Sequence, residues 1–456
     1  MKSIGNLIRR VFSDFLLMIP VLAMAGCAQT DPIGPDNSET ILHEPIRLAF
    51  DQNEDPALEL TQDPRFGYTY HSSDGNRIVD GSGSLPGAVP FQVQLGFAPV
   101  WVVAVAVDNG SLWTAVSTGG DVAALLVREK VIQEVPIKTD GYIPGSPPLM
   151  RVDSGGVSLV SAIVASSSDV THPVVLGVSG ATVWIGEDGW LHLQDSEEHL
   201  QLDIAALPDA RILQDQRGRV LLLSDPTEAY SHGVLGDELE ATAVLLAETT
   251  PDFRVVKRIS VPDGLVIEGI MPIWADMDDD GEREIIVTGS DRDAGARLMV
   301  FSEDGNLLAE SKAIGQGFRW RHQIAVASSS ESAPPELISV KTPHIGGMLE
   351  YFQIVDDRLE LAAIVSGVTS HVIGTRNLDL ALVGDFDGDG FSETLLPDDE
   401  LRSLVAVERT TDGASIDWSL PLAAIMSSNL AAVTDADDQI IVGTGLADGS
   451  LLIWSR

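Results

Sequence analysis

The sequence predicts an all-β protein, a β-propeller of four-stranded blades, on three observations. Runs of five to eight residues rich in Val, Ile and Leu recur along the chain, and beyond residue 65 no long stretch has helical apolar spacing. Asp-Gly, Asn-Gly or Pro-containing turns close these runs, which is the chemistry of tight antiparallel connections. A strand–turn–strand unit also returns near residues 103, 152, 212, 274, 324, 382 and 432, at intervals of about 50 to 62 residues, the length of a blade with its loops. Seven blades are expected, with six or eight left open because the first two units are degenerate. A pair of β-sandwiches or an open solenoid is the alternative.

The chain begins with a basic start (Lys2, Arg9, Arg10) and an apolar run from Phe15 to Gly26. That run falls short of the ~20 residues a membrane-spanning helix needs and suits the core of an export signal. Met24-Ala25-Gly26-Cys27 resembles the lipobox of bacterial lipoproteins, and Cys27 is the one cysteine of the chain. The resemblance implies cleavage before Cys27, acylation of that residue and anchorage in a lipid bilayer. Several acyl chains at ~0.8 kcal/mol per buried methylene make a stable anchor. Ala28 follows where an aspartate would favour inner-membrane retention, so the expected place is the bacterial cell envelope, at the outer membrane. The expected organisation is therefore a signal at 1–26, an acidic Pro- and Asn-containing tether at 27–64, and the propeller at 65–456.

Of 456 residues, 68 are acidic and 28 basic, for a net charge of −40, while 44% are hydrophobic. A core is affordable, and nucleic acid is excluded as a partner because phosphate recognition needs clustered Lys and Arg. With one cysteine, an intrachain disulfide or a Cys-based zinc site is excluded too.

Blade four is the clearest: Ile270–Trp274, Glu284–Thr288, Arg297–Phe301 and Leu307–Ser311 are its expected strands. The last unit has three strands, Leu430–Val433, Gln439–Val442 and Leu451–Trp454. An N-terminal strand from Phe66–Tyr70 or Pro90–Leu95 is expected to complete it and close the ring, since open edges invite aggregation.

Two loops match D-x-D-x-D-G-x-x-E: Asp276-Met277-Asp278-Asp279-Asp280-Gly281-Glu282-Arg283-Glu284 and Asp385-Phe386-Asp387-Gly388-Asp389-Gly390-Phe391-Ser392-Glu393. Calcium takes six to eight oxygens. In a tight loop the carboxylates of Asp276, Asp278 and Asp280, or of Asp385, Asp387 and Asp389, can turn toward one ion. The carbonyl of Glu282 or Phe391 joins them, and Glu284 or Glu393 closes the cage. Packed carboxylates without a cation would repel. The loop is not an EF-hand, because position twelve is Val287 or Leu396, inside a strand. It resembles the calcium loops of the integrin-type FG-GAP and VCBS-repeat propellers, in which the loop joins the first two strands of a blade. The resemblance is strong over about 270–456 and weak before 210, and it implies two structural Ca2+ sites. The turns at Gln214–Gly218 and Thr434–Asp438 lack the full ligand set.

Propeller topology sends the loops between blades, and those between second and third strands, to the face opposite these acidic loops. His232, Arg319, Arg321, His322, His344, His371, Arg376 and Asn377 all fall in such segments. They form a candidate pocket for an anion, a glycan or a histidine-held metal; the plain alternative is a rim of loop-bracing hydrogen bonds. No Ser/His/Asp arrangement, phosphate loop or H-E-x-x-H motif is present. The first functional expectation is thus an anchored binding module presenting this face to a glycan or protein partner. Alternatives are a polysaccharide lyase or hydrolase using the same face, and a structural part of an envelope assembly. A charged acid–base pair opposite His322 or His371 would favour the enzyme; exposed aromatics such as Trp320 would favour a glycan.

Overall fold

The structure is a computed structural model that describes residues 63–455 except 109, 129–130, 161–166 and 331, together with residues 39–40 and 46–47 in short strands. The expected export signal, Cys27 and most of the expected tether lie outside the described residues. Two pieces of the tether do not: Glu39–Thr40 pairs in parallel with Trp418–Ser419, and Ile46–Arg47 with Phe91–Gln92.

No helix occurs among the described residues; the chain is a succession of small, mainly antiparallel sheets. Blade four has the expected strands, Ile273–Ala275, Glu284–Ser290, Arg297–Ser302 and Leu307–Ser311, each paired with the next. The other anticipated units are also present, with inner strands at Trp101–Val107, Leu149–Asp153, Leu213–Gln214, Arg321–Ala327, Leu382–Asp385 and Met426–Thr434. One sheet was not anticipated: Val174–Val175, Thr182–Ile185, Trp190–Gln194 and His199–Asp203 form four antiparallel strands of their own. Its inner strand has two residues and its outer strand is largely exposed and polar, so it leaves little hydrophobic signature.

Side chains alternate across a strand, so each sheet offers one apolar set to each neighbour. Val102, Trp113 and Leu125 of the first sheet pack against Phe91, Ile441 and Ile453 of the last. The intervening residues Val103, Leu112 and Leu126 pack against Met150, Val152 and Leu159. The same two-sided packing joins the 273–311 sheet to the 321–366 sheet, that sheet to 382–421, and 382–421 to 426–454. Phe91–Gln94 pairs antiparallel with Ser450–Trp454.

The segment 65–82 does not complete the last blade; its strands add to the inner edges of other sheets. It runs along the innermost strands of successive sheets, as an inner belt. Arg65–Gly67 pairs with Met150–Val152. The Tyr70 hydroxyl donates to Ile212 O at 2.9 Å, Gln214 N donates to Ser73 O at 2.8 Å, and Trp274 N to Asp74 O at 2.9 Å. Asn76 exchanges two 2.9 Å bonds with the Val326 backbone. Arg77, 2% exposed, donates to Asp379 Oδ1 at 2.9 Å and to the carbonyls of Gln323 and Ile324. Gly75 is needed here: its φ is +77°, and a Cβ would stand 2.5 Å from Pro272 O.

Candidate functional site

The two acidic loops are built alike. Each joins an inner strand to the next strand, and the carboxylate of its first aspartate accepts backbone N–H groups across the turn. Asp276 accepts from Asp280 N and Gly281 N at 3.2 and 2.9 Å; Asp385 accepts from Gly388 N and Gly390 N at 2.7 and 3.3 Å. The glutamate at position nine is buried and turned back, with Glu284 Oε2 accepting from Met277 N and Glu393 Oε2 from Phe386 N, both at 2.8 Å. Position six is left-handed in both, at Gly281 (φ 88°) and Gly390 (φ 90°), as the motif requires. Position four is left-handed too, at Asp279 (φ 62°) and Gly388 (φ 86°), which accounts for Asp or Gly there.

These turns converge the carboxylates. One oxygen each from Asp385, Asp387, Asp389 and Glu393 lie within 4.8 Å of one another, as do those of Asp276, Asp278 and Asp280. Oxygens so spaced can all reach an ion at the ~2.3–2.6 Å of calcium coordination. An all-oxygen donor set fits a hard cation, and the clusters are able to bind a metal. In the first loop Glu284 stands outside the tight group, so that cage is more open than the second. The cost of crowding shows on the glutamates. Burial first, then the neighbouring aspartates, push Glu284 up to about 7 and Glu393 up to about 8. Asp387 is also raised, by burial and then by Asp389 and Asp385. The corresponding turn at 214–218 solves the problem within the chain: Arg219 takes Asp215 and Glu303 together, at 2.7 and 2.6 Å.

On the opposite face the structure separates the candidate pocket residues. His322, His344 and His371 come together around Trp320, whose ring lies 4.8, 6.1 and 5.2 Å from theirs. His344 Nε2 and His371 Nδ1 are 2.7 Å apart, His371 Nε2 donates to Thr375 O at 2.8 Å, and His322 Nδ1 meets Ser370 Oγ at 2.9 Å. His232 has partners of its own: its Nδ1 is held by the buried carboxylate of Glu268, which also accepts from Ser290 Oγ, and its ring lies 5.3 Å from that of Phe318. Burial lowers His344 to about 4, helped by the charge of His232, and His371 to about 3; it pushes His322 well below the ordinary range. These three imidazoles are neutral at pH 7.

The arginines behave otherwise. Arg321 is 4% exposed and turned away from His322, with its guanidinium on Glu350 at 2.8 Å and over the Phe352 ring at 5.3 Å. Arg319 is exposed. Arg376 is clamped between Asp209 and Asp237 at 2.8 and 2.6 Å, and Asn377 Nδ2 donates to Val100 O at 3.3 Å. Arg376 and Asn377 line a cleft of about 570 Å³ together with Trp101, Ile143, Val372, Ile425 and Ser427; the histidines lie beside it rather than in it. Trp320 is buried, with its Nε1–H on Glu268 O at 2.9 Å, so it offers no open ring. Glu268, Glu350, Asp209 and Asp237 were missed by sequence reasoning. Single acidic residues among 68 carry no local signal, and their partners lie up to 167 positions away. A second cavity of about 650 Å³, between the inner belt and the turns at 214–216 and 433–434, opens on the acidic-loop face.

No model of a known protein family matches the chain, and no curated protein matches it in sequence. Solved structures do match in fold. A europium-containing methanol dehydrogenase aligns over 86% of this chain and 98% of its own, with a TM-score of 0.52 and 9% identity. Raptor from Chaetomium thermophilum (84% of this chain, 29% of its own, TM-score 0.42, 10% identity) and BBS1N in complex with ARL6DN (86% and 97%, TM-score 0.39, 8% identity) are more distant. At such identity the first likeness carries the fold alone, a propeller-like all-β architecture.

Proposed function

We propose that this chain is a lipid-anchored binding module of the bacterial cell envelope, a calcium-stabilised propeller that offers its interblade loop face to a protein or glycan partner. The ring closes through Phe91–Gln94, which completes the last blade. Counting the small sheet around Leu149–Val160 it has eight members, and without that sheet seven. Two Ca2+ ions fill the 276–284 and 385–393 loops in the manner of the FG-GAP and VCBS-repeat propellers. Cys27 carries the acyl anchor.

The observation that carries the binding reading is the cleft beside Arg376. Its walls at Ile143, Val372 and Ile425 are apolar, with Asn377 and Ser427 as fixed polar points, the usual make-up of a recognition site. The one aromatic ring among its lining residues, Trp101, is buried and has the Arg211 guanidinium over it at 5.8 Å. With no open ring for a sugar to stack on, a protein chain is the better occupant. The enzyme reading loses its discriminating feature: the bonds to His322 and His371 come from Ser370, His344 and Thr375, none of them a carboxylate. The test is crosslinking in intact envelopes, with wild type compared to Val372→Asp and Ile425→Asp. A specific protein adduct lost in both variants, at unchanged melting temperature, is expected. Depolymerisation of envelope polysaccharide by the purified protein would overturn the reading.

A further inference from the structure

The sheet at 174–203 brings two histidines together at its outer edge. His192 lies in the strand Trp190–Gln194 and His199 in the outer strand His199–Asp203, and the register pairs His192 with Gln201 and Gln194 with His199. Cross-strand partners share a face, as do residues two apart, so both imidazoles stand on the same side of the sheet. Trp184, the partner of His192 on the preceding strand, stacks on both rings, at 5.1 and 5.3 Å. His192 Nδ1 and His199 Nε2 are 3.1 Å apart.

The chain fixes one of these nitrogens as a lone pair. His192 is buried, and its Nε2 faces Asp188 Oδ1 at 3.4 Å. An ionised carboxylate can only accept, so Nε2 carries the proton and Nδ1 is bare. Asp188 is held in turn by Trp190 N, which donates to Oδ1 at 3.0 Å. Gly186 makes room for this contact: a Cβ there would stand 2.6 Å from His192 Nε2 and run into the Asp188 carboxylate. An imidazole with its far N–H on a carboxylate and its near nitrogen unprotonated is the arrangement of metal-ligating histidines. The His199 ring is exposed, so it can turn to present a lone pair at the same point.

The spacing suits one ion. Two nitrogens at ~2.0–2.1 Å from a metal stand about 3.3 Å apart in a tetrahedral zinc site, and about 2.8–2.9 Å apart as neighbours in a square-planar copper site. The observed 3.1 Å lies between the two. We propose that His192 Nδ1 and His199 Nε2 bind a divalent ion of the imidazole-preferring class, Zn2+ or Cu2+. Among the described residues no third His, Cys, Asp or Glu converges on the pair, so water or a donor from a partner fills the remaining positions. Asp188 is a positioning residue that sets the His192 tautomer. The ion staples the outer strand to its neighbour in a sheet whose inner strand has only two residues.

The test uses untagged full-length protein in excess calcium, so that the acidic loops are occupied. It is made in a His344→Ala background, which removes the other close imidazole pair, His344 and His371 at 2.7 Å. Cu2+ at one equivalent is read by electron paramagnetic resonance, and Zn2+ affinity by competition with a chromophoric chelator. The expected result is nitrogen hyperfine structure from two imidazoles, one Zn2+ per chain, and slower amide exchange over 199–203 when Zn2+ is bound. His199→Ala, at an exposed position, should weaken Zn2+ binding at least tenfold at an unchanged melting temperature. Asp188→Ala should weaken it about threefold or more, and Asp188→Asn, whose amide oxygen still accepts, should restore most of the loss. Coupling from fewer than two nitrogens, or wild-type affinity in His199→Ala or in Asp188→Ala, would overturn the proposal.

Discussion

Removing calcium should make stability fall as pH rises, and Glu393 contributes the largest part of the effect. In the ion-free loop its carboxyl is held at about 8, against 4.5 ordinarily. Between those values the folded chain keeps a proton that the unfolded chain has released, so stability falls as pH rises. Below 4.5 both states are protonated and above 8 neither is, which confines the effect to that window. Full conversion of the difference amounts to ~4–5 kcal/mol. The aspartates of the same loop are partly open to water, and screening brings the expected loss to about 2 kcal/mol. With calcium bound the carboxylates are held ionised, and the loss should vanish. The assay is urea denaturation at pH 5, 7 and 9, in chelator and in millimolar calcium. The buried histidines and Glu240 titrate under both conditions, so the difference between the two curves isolates the loops. Glu393→Gln should flatten most of that difference. Parallel pH profiles with and without calcium would refute the reasoning.

Three further outcomes follow from the same structure. Asp387→Ala, which opens the second cage, should lower the melting temperature in calcium more than Asp304→Ala, a hairpin-turn control with no ligand set; equal shifts would count against ligation. Arg77→Met removes the buried partner of Asp379 and the anchor of two carbonyls, and should cost about 3–5 kcal/mol in denaturant unfolding. A loss below 1 kcal/mol would mean that the inner belt does not brace the sheets. Cys27→Ser should move the protein from the membrane fraction to the soluble fraction, and unchanged retention would remove the anchor from the account.

What could be read from the sequence was what is local. The strand runs of blade four and the two acidic loops are set by adjacent residues, and the structure places them where spacing puts them. The sheet at 174–203 escaped notice because a two-residue inner strand and the polar His199–Asp203 edge show neither clear alternation nor an apolar run. The inner belt was read as an ordinary strand because the partners that place it, from Ala106 to Asp438, are all distant. The ion pairs of the arginines were hidden for the same reason, since the carboxylates that neutralise Arg376 come from another blade. Arg321 was separable in principle. Adjacent residues of a strand face opposite sides, so Arg321 and His322 cannot share one surface, and it is the histidine that joins the cluster.

Calcium titration by calorimetry on chelator-treated protein, repeated with Asp278→Asn and Asp387→Asn, bears most directly on the account. Two saturable sites filled at millimolar calcium or below, one lost in each variant, are predicted. Heat changes that never saturate, or a stoichiometry that neither substitution alters, would contradict it.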